Sequence, residues 1–431
     1  MKRPGVIRNY NRYQETQWLP LEQLKEKQVQ QLSKMLNFAY QNVPYYFRLF
    51  EKLGLTPNDI TTIQDLEKLP VLTKQTIKDN WSDFMPRNIS GMKFVSSSTG
   101  GSTGMPLQYR ISNDDWDRSV ALLLSGWGYA GYKLGDKIAI IAGTSLIPTK
   151  KSSLYKKFQN FSLNHRSYSS FDMSPENLMK YFIDINEWKP DYIRGYASSV
   201  YLFSKFIQDN NLKLDFQPKA VFSTAEKLFD KQKGLIETIF NANVFDQYGL
   251  NDGGIAAFEC AQHSGMHIDM EKAILETVND YGKQVIDHQG RILATSLYNY
   301  AMPFIRYDTG DLGAISLSEC ACGRKTPILK EVIGRITDFL KINNILIGSP
   351  ILTVLMGKFD IEQYQIVQED LDSITCRIAK GKTYKKEDED FIRDSFSQHV
   401  GNVNIEFDYT KSIEPSKAGK HKFIINNLQD E

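Results

Sequence analysis

The stretch PDYIRGYASSVYLFSKFIQDN, from Pro190 to Asn210, begins with strand-like residues and continues as a helix. Similar runs flank it on both sides. KIAIIAG, near Ile138, precedes it as a strand, and PKAVFSTAEKL and ANVFDQYG follow it as strands with an amphipathic helix between them. Strands that alternate with helices in this way are typical of a sheet layered with helices. We therefore predict an α/β fold.

The two ends of the chain differ from this middle part. Apolar residues at helical spacing predict an N-terminal helix over Leu21 to Tyr40, which Pro44 then breaks. From about Asn343 onward, the runs QYQIVQED, SITCRIAKG and VNIEFDY alternate as strands, and DEDFIRDSFSQHV is helical between the last two. We predict a large domain over residues 1–336 and a small α+β domain over residues 337–431.

Composition excludes several classes of protein. The chain has 431 residues and an apolar share of 41%, which is enough for two or more domains with substantial cores. Its 52 basic and 51 acidic residues nearly cancel, so no overall charge favours nucleic acid or an anionic membrane as partner. The N-terminus lacks the apolar core of a signal peptide, and no run approaches the roughly 20 apolar residues of a membrane span. We expect a cytoplasmic protein, either a monomer or a dimer.

A loop rich in glycine and hydroxyl residues, SSSTGGSTGMP, lies between two strand-like runs. As a G-x-S-x-G elbow it would make Ser102 a hydrolase nucleophile, but a helix must follow that elbow, and Pro106 and LQYRIS indicate a strand. A nucleoside-triphosphate-binding loop of the G-x-x-x-x-G-K-[ST] type needs a lysine directly after its last glycine, and no lysine follows Gly104. It could instead be a β-hairpin loop that binds phosphates through main-chain N–H groups and the hydroxyls of Ser102 and Thr103. A surface loop without a ligand stays open as an alternative.

Cysteine and histidine residues form two close pairs. ECAQHSGMH contains Cys260-x-x-His263, and CACGR contains Cys320-x-Cys322. Two such pairs separated by a longer stretch are typical of a structural zinc site, in which each pair supplies two ligands. His267 is an alternative to His263, and buried cysteines without a metal are the other interpretation. The fourth cysteine, Cys376, lies in an alternating strand and is expected in the core.

Six strings, of which the loop is the first, occur in the order in which similar strings occur in adenylate-forming enzymes. They are TGGSTGMP, STAEKL at Ser223, FDQYGLND at Phe245, RYDTGDLG at Arg306, GRITDFLKI at Gly334 and PSKAGKHKF at Pro415. Together they span most of the chain. The chain therefore resembles this superfamily, and QNVPYYFRLF and GYASSVYLFSKF resemble the phenylacetate-CoA ligase family and its capsule or surface-polysaccharide relatives. The resemblance implies a large multi-sheet N-terminal domain and a small mobile C-terminal domain.

The resemblance also implies a chemistry, in which a carboxylate attacks the α-phosphate of ATP and yields an acyl-adenylate and pyrophosphate. It assigns phosphate binding to Ser102, Thr103 and Gly104. Tyr248 would pack on adenine, Asp311 would accept the ribose hydroxyls, and Lys420 would neutralise charge in the transition state. The remaining nucleotide-binding positions that it implies are Ala225, Glu226, Gly249 and Arg335. Each of these residues, taken singly, could equally be an ordinary core, turn or surface residue.

The chain departs from the family's usual pattern at two positions. Where a glutamate usually follows the Y-G-x-[ST] motif, this chain has Asp252, which can bind Mg2+ but is one methylene shorter. Thr337 stands where the hinge often carries a charged residue. Both departures leave room for a nucleotide-binding protein without turnover.

The acid is expected to bind between the central segments, where Trp127, Tyr196 and Phe222 are candidates to line its pocket or to be core aromatics. Because no basic residue can be placed there, an apolar or aromatic acid fits better than a dicarboxylate. We expect an ATP- and Mg2+-dependent acid ligase that passes its acyl group to coenzyme A. An amine or sugar acceptor in polysaccharide biosynthesis is the alternative among enzymes, and a carrier thiol could also accept the acyl group after the same first half-reaction.

Overall fold

The computed structural model describes residues 3–98, 107–142, 164–170, 173–335, 339–343, 345–348, 352, 355–356, 359–414 and 422–428. The α-helices in these residues are α1 (Pro4–Thr16), α2 (Leu21–Asn42), α3 (Pro44–Leu53), α4 (Lys74–Asp79), α5 (Asn113–Trp127), α6 (Pro175–Trp188), α7 (Ala197–Asp209), α8 (Asp230–Phe240) and α9 (Lys386–Val400). Short 3-10 helices lie at Pro57–Asp59, Gln64–Lys68, Trp81–Phe84, Ile89–Gly91 and Gly128–Ala130.

The strands of the first two thirds of the chain are β1 (Phe94–Ser98), β2 (Gln108–Ser112), β3 (Ile138–Ala142), β4 (His165–Ser169), β5 (Tyr192–Tyr196), β6 (Ala220–Thr224), β7 (Val244–Phe245), β8 (Gln247–Gly249), β9 (Ala256–Glu259), β10 (Met266–Ile268), β11 (Ala273–Val278) and β12 (Gly290–Ser296). The later strands are β13 (Tyr307–Ser316), β14 (Ile328–Arg335), β15 (Phe339–Ile342), β16 (Ile345–Gly348), β17 (Ile361–Asp370), β18 (Ser373–Lys380), β19 (Asn404–Thr410) and β20 (Ile424–Asn426).

A five-stranded parallel sheet with the order β4-β3-β5-β6-β7 lies at the centre of the large domain. The stretch Pro190 to Asn210 forms β5 and α7, and all five residues of β5 are buried. Burial of every residue is expected where helices cover both faces of a parallel sheet. One face packs on α6, α7 and α8, and the other packs on α1 and α5. The predicted α/β class is confirmed.

A seven-stranded antiparallel sheet, β11-β12-β13-β14-β10-β9-β8, packs beside the parallel one. The run ANVFDQYG, predicted as one strand, contributes to both sheets. Val244 and Phe245 pair in parallel with β6, while Gln247 to Gly249 pair antiparallel with β9. The chain therefore crosses from one sheet to the other at Asp246.

The predicted N-terminal helix is present as α2, whose apolar residues enter the core of the large domain. Pro44 ends α2 and also begins α3, since the first turn of a helix has no use for the N–H group that proline lacks. Gly54 then ends α3 with φ of +63°, a conformation that glycine adopts without strain. A further helix, α1, precedes α2 and packs on α5.

The C-terminal part of the chain has a hydrophobic core of its own, to which β15, β17, β18, β19, β20 and α9 contribute. The three strands and the helix predicted between residues 363 and 409 are present as β17, β18, α9 and β19. Strand β20 completes a mixed sheet with the order β19-β18-β17-β20. The sequence did not predict β20, because only three residues pair.

Strands β1 and β2 pair antiparallel, with Ser98 opposite Gln108. The glycine-rich loop therefore joins two strands, as predicted, and residues 99–106 themselves lie outside the described residues. Among the helices that the structure describes, none has the length and apolar character needed to span a bilayer.

Candidate nucleotide, acid and metal sites

Two of the predicted nucleotide-binding residues touch each other where the antiparallel sheet meets the parallel one. The Tyr248 hydroxyl, on β8, donates a hydrogen bond of 2.8 Å to Oδ2 of Asp311, on β13. Burial, together with the charge of Asp311, raises the pKa of Tyr248 well above its usual value. In the ladder between β13 and β14, Asp311 lies opposite Arg335, whose side chain is outside the described residues. The structure thus brings Tyr248, Asp311 and the backbone of Arg335 together.

Asp252 lies close to the base of the β1–β2 hairpin. Its side chain is buried, and its Oδ2 accepts a hydrogen bond of 2.9 Å from the Tyr307 hydroxyl. Burial and the charge of Asp252 both raise the pKa of Tyr109, which is on β2. The carboxylate expected to hold Mg2+ is therefore near the strands that carry the glycine-rich loop.

Ala225 and Glu226 follow β6 directly at its carboxyl end. Ala225 has φ of +68°, which a residue with a Cβ atom adopts only at a cost in free energy. Glu226 accepts a hydrogen bond of 2.9 Å from the main-chain N–H of Ser198, in the first turn of α7. A carboxylate is favourable at that position because of the partial positive charge at a helix N-terminus. Gly249, also predicted to bind nucleotide, lies at the end of β8 next to Tyr248.

Four predicted residues lie outside the described residues: Ser102, Thr103, Gly104 and Lys420. Their flanking elements are described. β1 and β2 carry the glycine-rich loop, and Phe423, shortly after Lys420, packs edge-on against Phe229 with ring centroids 5.6 Å apart. Since Phe229 immediately precedes α8, the segment that follows Lys420 contacts the large domain.

The three predicted pocket residues lie on one face of the parallel sheet. Trp127 at the end of α5 stacks on Phe222 with centroids 5.5 Å apart, and Tyr196 belongs to the same cluster. From the sequence alone no basic residue could be placed here, but the structure contains one. The guanidinium of Arg194 lies 5.0 Å from the centre of the Trp127 ring. The sequence contained a signal for it, since Arg194 is two residues before Tyr196 and alternate residues of a strand share a face.

The cysteine and histidine residues form a compact cluster. One ligand atom from each of Cys260, His267, Cys320 and Cys322 lies within 4.8 Å of the others. The sulfur atoms of Cys260 and Cys320 are 3.6 Å apart, and Cys322 Sγ is 3.2 Å from His267 Nε2. A tetrahedral zinc ion with usual bond lengths would separate two sulfurs by about 3.8 Å and a sulfur from a nitrogen by about 3.6 Å. The four residues therefore fit zinc.

The histidine in this cluster is His267, the alternative to the predicted His263. The chain turns at His263, which has φ of +48°, and its Nδ1 lies 3.2 Å from a carboxylate oxygen of Glu259. Its ring packs on Phe245 at 4.7 Å. His267 points into the cluster from β10, with Nδ1 3.2 Å from Thr326 Oγ1. Such a second hydrogen bond typically orients a histidine that binds a metal.

Comparison with known proteins agrees with this architecture. The family model of the CapK C-terminal domain matches residues 340–427. Protein CapK of Staphylococcus aureus is 27% identical over 421 residues, which cover 94% of this chain and 90% of CapK. Phenylacetate-coenzyme A ligase of Thermus thermophilus is 24% identical, over 86% of this chain and 85% of the ligase. The chain is thus similar in sequence, over most of its length, to CapK and to the phenylacetate-CoA ligases.

The fold is also similar to that of a solved structure with lower sequence identity. The crystal structure of 2-hydroxyisobutyryl-CoA ligase in the postadenylation state superposes with a TM-score of 0.76 at 19% identity, covering 95% of this chain and 90% of that one. The chain thus has the fold of an adenylate-forming CoA ligase across both of its parts. The resemblance drawn from the six strings is confirmed.

Proposed function

We propose that the chain is an ATP-dependent acid–CoA ligase that forms an acyl-adenylate, releases pyrophosphate and transfers the acyl group to coenzyme A. The observation that carries this proposal is the contact between Tyr248 and Asp311 beside Asp252. It brings together, where the two sheets meet, the side chains that we assign to adenine, to the ribose hydroxyls and to Mg2+. The homologues named phenylacetate-CoA ligase, and neighbours with acyl-AMP or with CoA bound, support it.

In the first half-reaction a carboxylate oxygen of the acid attacks the α-phosphorus of ATP, and the bond from that phosphorus to the pyrophosphate oxygen breaks. Tyr248 would stack on adenine and Asp311 would accept the ribose hydroxyls. The glycine-rich loop would hold the departing phosphates through Ser102, Thr103 and main-chain N–H groups. Lys420 would balance the negative charge that develops at the α-phosphorus. Ala225, Glu226, Gly249 and Arg335 would complete the nucleotide site.

Asp252 is the residue that we assign to Mg2+, which would neutralise charge on the phosphates. The carboxylate is already oriented by the Tyr307 hydroxyl, 2.9 Å away. In the second half-reaction the sulfur of coenzyme A attacks the acyl carbon, and AMP leaves with the electron pair of the broken C–O bond. Both co-substrates are cytoplasmic compounds, which supports a cytoplasmic location. We place the domain boundary at residues 336/337, where the small domain would move relative to the large one.

We further propose that Cys260, His267, Cys320 and Cys322 hold a structural zinc ion. Four protein ligands leave no open coordination position, so such an ion braces the sheet and takes no part in the reaction. The ion would join the turn after β9, strand β10 and the segment between β13 and β14.

A different acceptor is the second candidate. CapK is related to capsule biosynthesis, and its identity of 27% slightly exceeds the 24% of the Thermus ligase. An amine or a sugar could take the acyl group from the same adenylate, because the first half-reaction does not depend on the acceptor. A third candidate is nucleotide binding without turnover, with Asp252 as the departure that favours it.

A pyrophosphate-release assay with ATP, Mg2+ and a panel of carboxylic acids tests the proposal. We expect release with at least one acid, and AMP and acyl-CoA formation once coenzyme A is added. The variant Asp311→Asn tests the nucleotide site in the same assay. It should raise the KM for ATP, because Asp311 is assigned to the ribose hydroxyls. Release of pyrophosphate with acyl transfer only to amines or sugars would favour the second candidate. ATP binding without release for any acid would favour the third and refute the ligase.

A further inference from the structure

Arg194 is a buried cation in the middle of the parallel sheet. It lies on β5, between Ile140 on β3 and Phe222 on β6, and its exposed fraction is only 7%. Burial lowers the pKa of Arg194 to about 10, so the side chain is still charged at neutral pH. A charge at this depth is costly unless something compensates it.

Among the described residues of the large domain, two of the other three buried cations have carboxylate partners, and the third, Arg324, donates hydrogen bonds to Oε1 of Gln17. Arg306 lies 3.2 Å from Glu276, and Lys272 lies 3.2 Å from Asp115. Arg194 forms no ion pair with any of the described residues, and its Nε atom has no hydrogen-bond partner among them. The segment that follows β3, residues 143–163, contains neither aspartate nor glutamate. Among the described residues, Arg194 therefore has no carboxylate that would compensate its buried charge.

Two more buried polar side chains near Trp127, the tryptophan next to Arg194, have atoms without hydrogen-bond partners among the described residues. Gln247 is 8% exposed; its Oε1 accepts a hydrogen bond of 3.2 Å from Trp127, and its Nε2 has no partner in the described part of the chain. The same holds for Nε2 of His165, whose ring is 6.2 Å from that of Trp127. Burial and the charge of Arg194 lower the pKa of His165 to about 4, so it is neutral at pH 7. The cluster has one positive charge and several unused polar groups.

This cluster lies where the acid is expected. Arg194 is two residues before the carboxyl end of β5, a distance of about 7 Å along the strand. Ligands of parallel α/β sheets bind at that edge. Gln247 directly precedes Tyr248, which we assign to the nucleotide. An acid whose reacting carboxylate faces the nucleotide would thus direct its other end toward Arg194.

We infer that the acid activated by this protein carries a second carboxylate, which Arg194 and Gln247 bind at the inner end of the pocket beside Trp127. The inference rests on the proposed ligase function and names its substrate class as dicarboxylic acids. Trp127 and Phe222 supply the apolar wall for the carbon skeleton between the two carboxylates. The second carboxylate would provide the missing counter-ion and would accept hydrogen bonds from Nε of Arg194 and Nε2 of Gln247.

The test compares acids that differ only in the second carboxylate, using pyrophosphate release with ATP and Mg2+. The pairs are succinate with butanoate, glutarate with pentanoate, adipate with hexanoate, and terephthalate with 4-methylbenzoate. A hydrogen bond to a charged group predicts a kcat/KM about 10- to 150-fold higher for the dicarboxylate of the preferred pair. Equal or higher kcat/KM for the monocarboxylate in every pair would overturn the inference.

Variants of Arg194 provide a second readout. Arg194→Met should abolish the preference for the dicarboxylate, and Arg194→Lys should keep part of it. Because Arg194→Met removes a buried charge without a partner, it should leave the melting temperature of the acid-free protein unchanged or higher. Arg166→Met is the matched control, since Arg166 lies on β4 of the same sheet, with β3 between it and β5, and forms an exposed ion pair with Asp184. It should leave the preference unchanged.

A structural role predicts the opposite result. If Asp172, which lies outside the described residues, were the counter-ion, Arg194→Met and Asp172→Asn would lower the melting temperature by similar amounts and leave the acid preference unchanged. That pattern would overturn the inference.

Failure of the ligase function is distinguishable from failure of this inference. If no acid releases pyrophosphate, the proposed function fails, and calorimetric titration of the wild-type protein and Arg194→Met with the four dicarboxylates decides the inference alone. Binding of a dicarboxylate by the wild-type protein that Arg194→Met loses supports the inference. Equal binding by both proteins, or binding by neither, overturns it.

Discussion

Changing Cys320 to serine tests the metal site by its effect on stability. Cys260 and Cys320 are 60 residues apart in sequence and 3.6 Å apart at their sulfur atoms. A zinc ion that joins them constrains the unfolded chain as a cross-link does, and closing a loop of about 60 residues is worth about 4 kcal/mol. With about 2 °C per kcal/mol for a large domain, Cys320→Ser should lower the melting temperature by about 8 °C.

The assay combines zinc analysis of purified protein with thermal unfolding, before and after treatment with a chelator. Wild-type protein should contain about one zinc per chain, and chelation should lower its melting temperature toward that of Cys320→Ser. His267→Ala should lose zinc, whereas His263→Ala, the matched histidine control, should keep it. Less than about a tenth of an equivalent of zinc in wild-type protein, or loss of zinc in the His263 variant alone, would refute the assignment.

Three further predictions concern charge, pH and packing. Lys420→Ala should abolish pyrophosphate release but leave the dissociation constant for ATP nearly unchanged, because the lysine acts on charge that develops during transfer; calorimetry and single-turnover kinetics measure both. Burial raises the pKa of Asp246 to about 7, so the free energy of unfolding falls as the pH rises from about 4 to 7. Asp246→Asn removes this ionisation, and in urea unfolding it should therefore stabilise the protein more at pH 8 than at pH 5. Gly126→Ala should lower the free energy of unfolding by about 1–3 kcal/mol in the same assay, because the added Cβ atom would clash with the ring of Phe258. The clash outweighs the gain of about 1 kcal/mol that alanine brings to a helix in place of glycine.

Local patterns predicted those parts of the fold in which one period dominates. Strand β5 with helix α7, and strands β17 and β18, follow from residues that alternate or recur at helical spacing. Strands too short to show a period were either not predicted or predicted together with a neighbouring strand. Strand β20 has three residues, and the run that forms β7 and β8 reads as one strand although Asp246 divides it between two sheets.

Contacts between residues distant in sequence required the structure. Spacing alone suggested Cys260-x-x-His263, but the path of the turn and strand β10 bring His267 to the cysteines. The same holds for Arg194, since the strand pattern assigns it a face but does not show that Trp127, far away in sequence, covers that face.

The amino-acid sequence by itself determined the α/β class, the order of the six strings and the family resemblance, because these depend on residues close together along the chain. Only the tertiary structure decided which histidine joins the cysteines, where the chain passes between the sheets and which cation lies beside Trp127. The physical reason is that burial and the pairing of charges depend on what packs against a residue, and the residues that meet in the metal cluster and beside Trp127 are 55 to 67 positions apart.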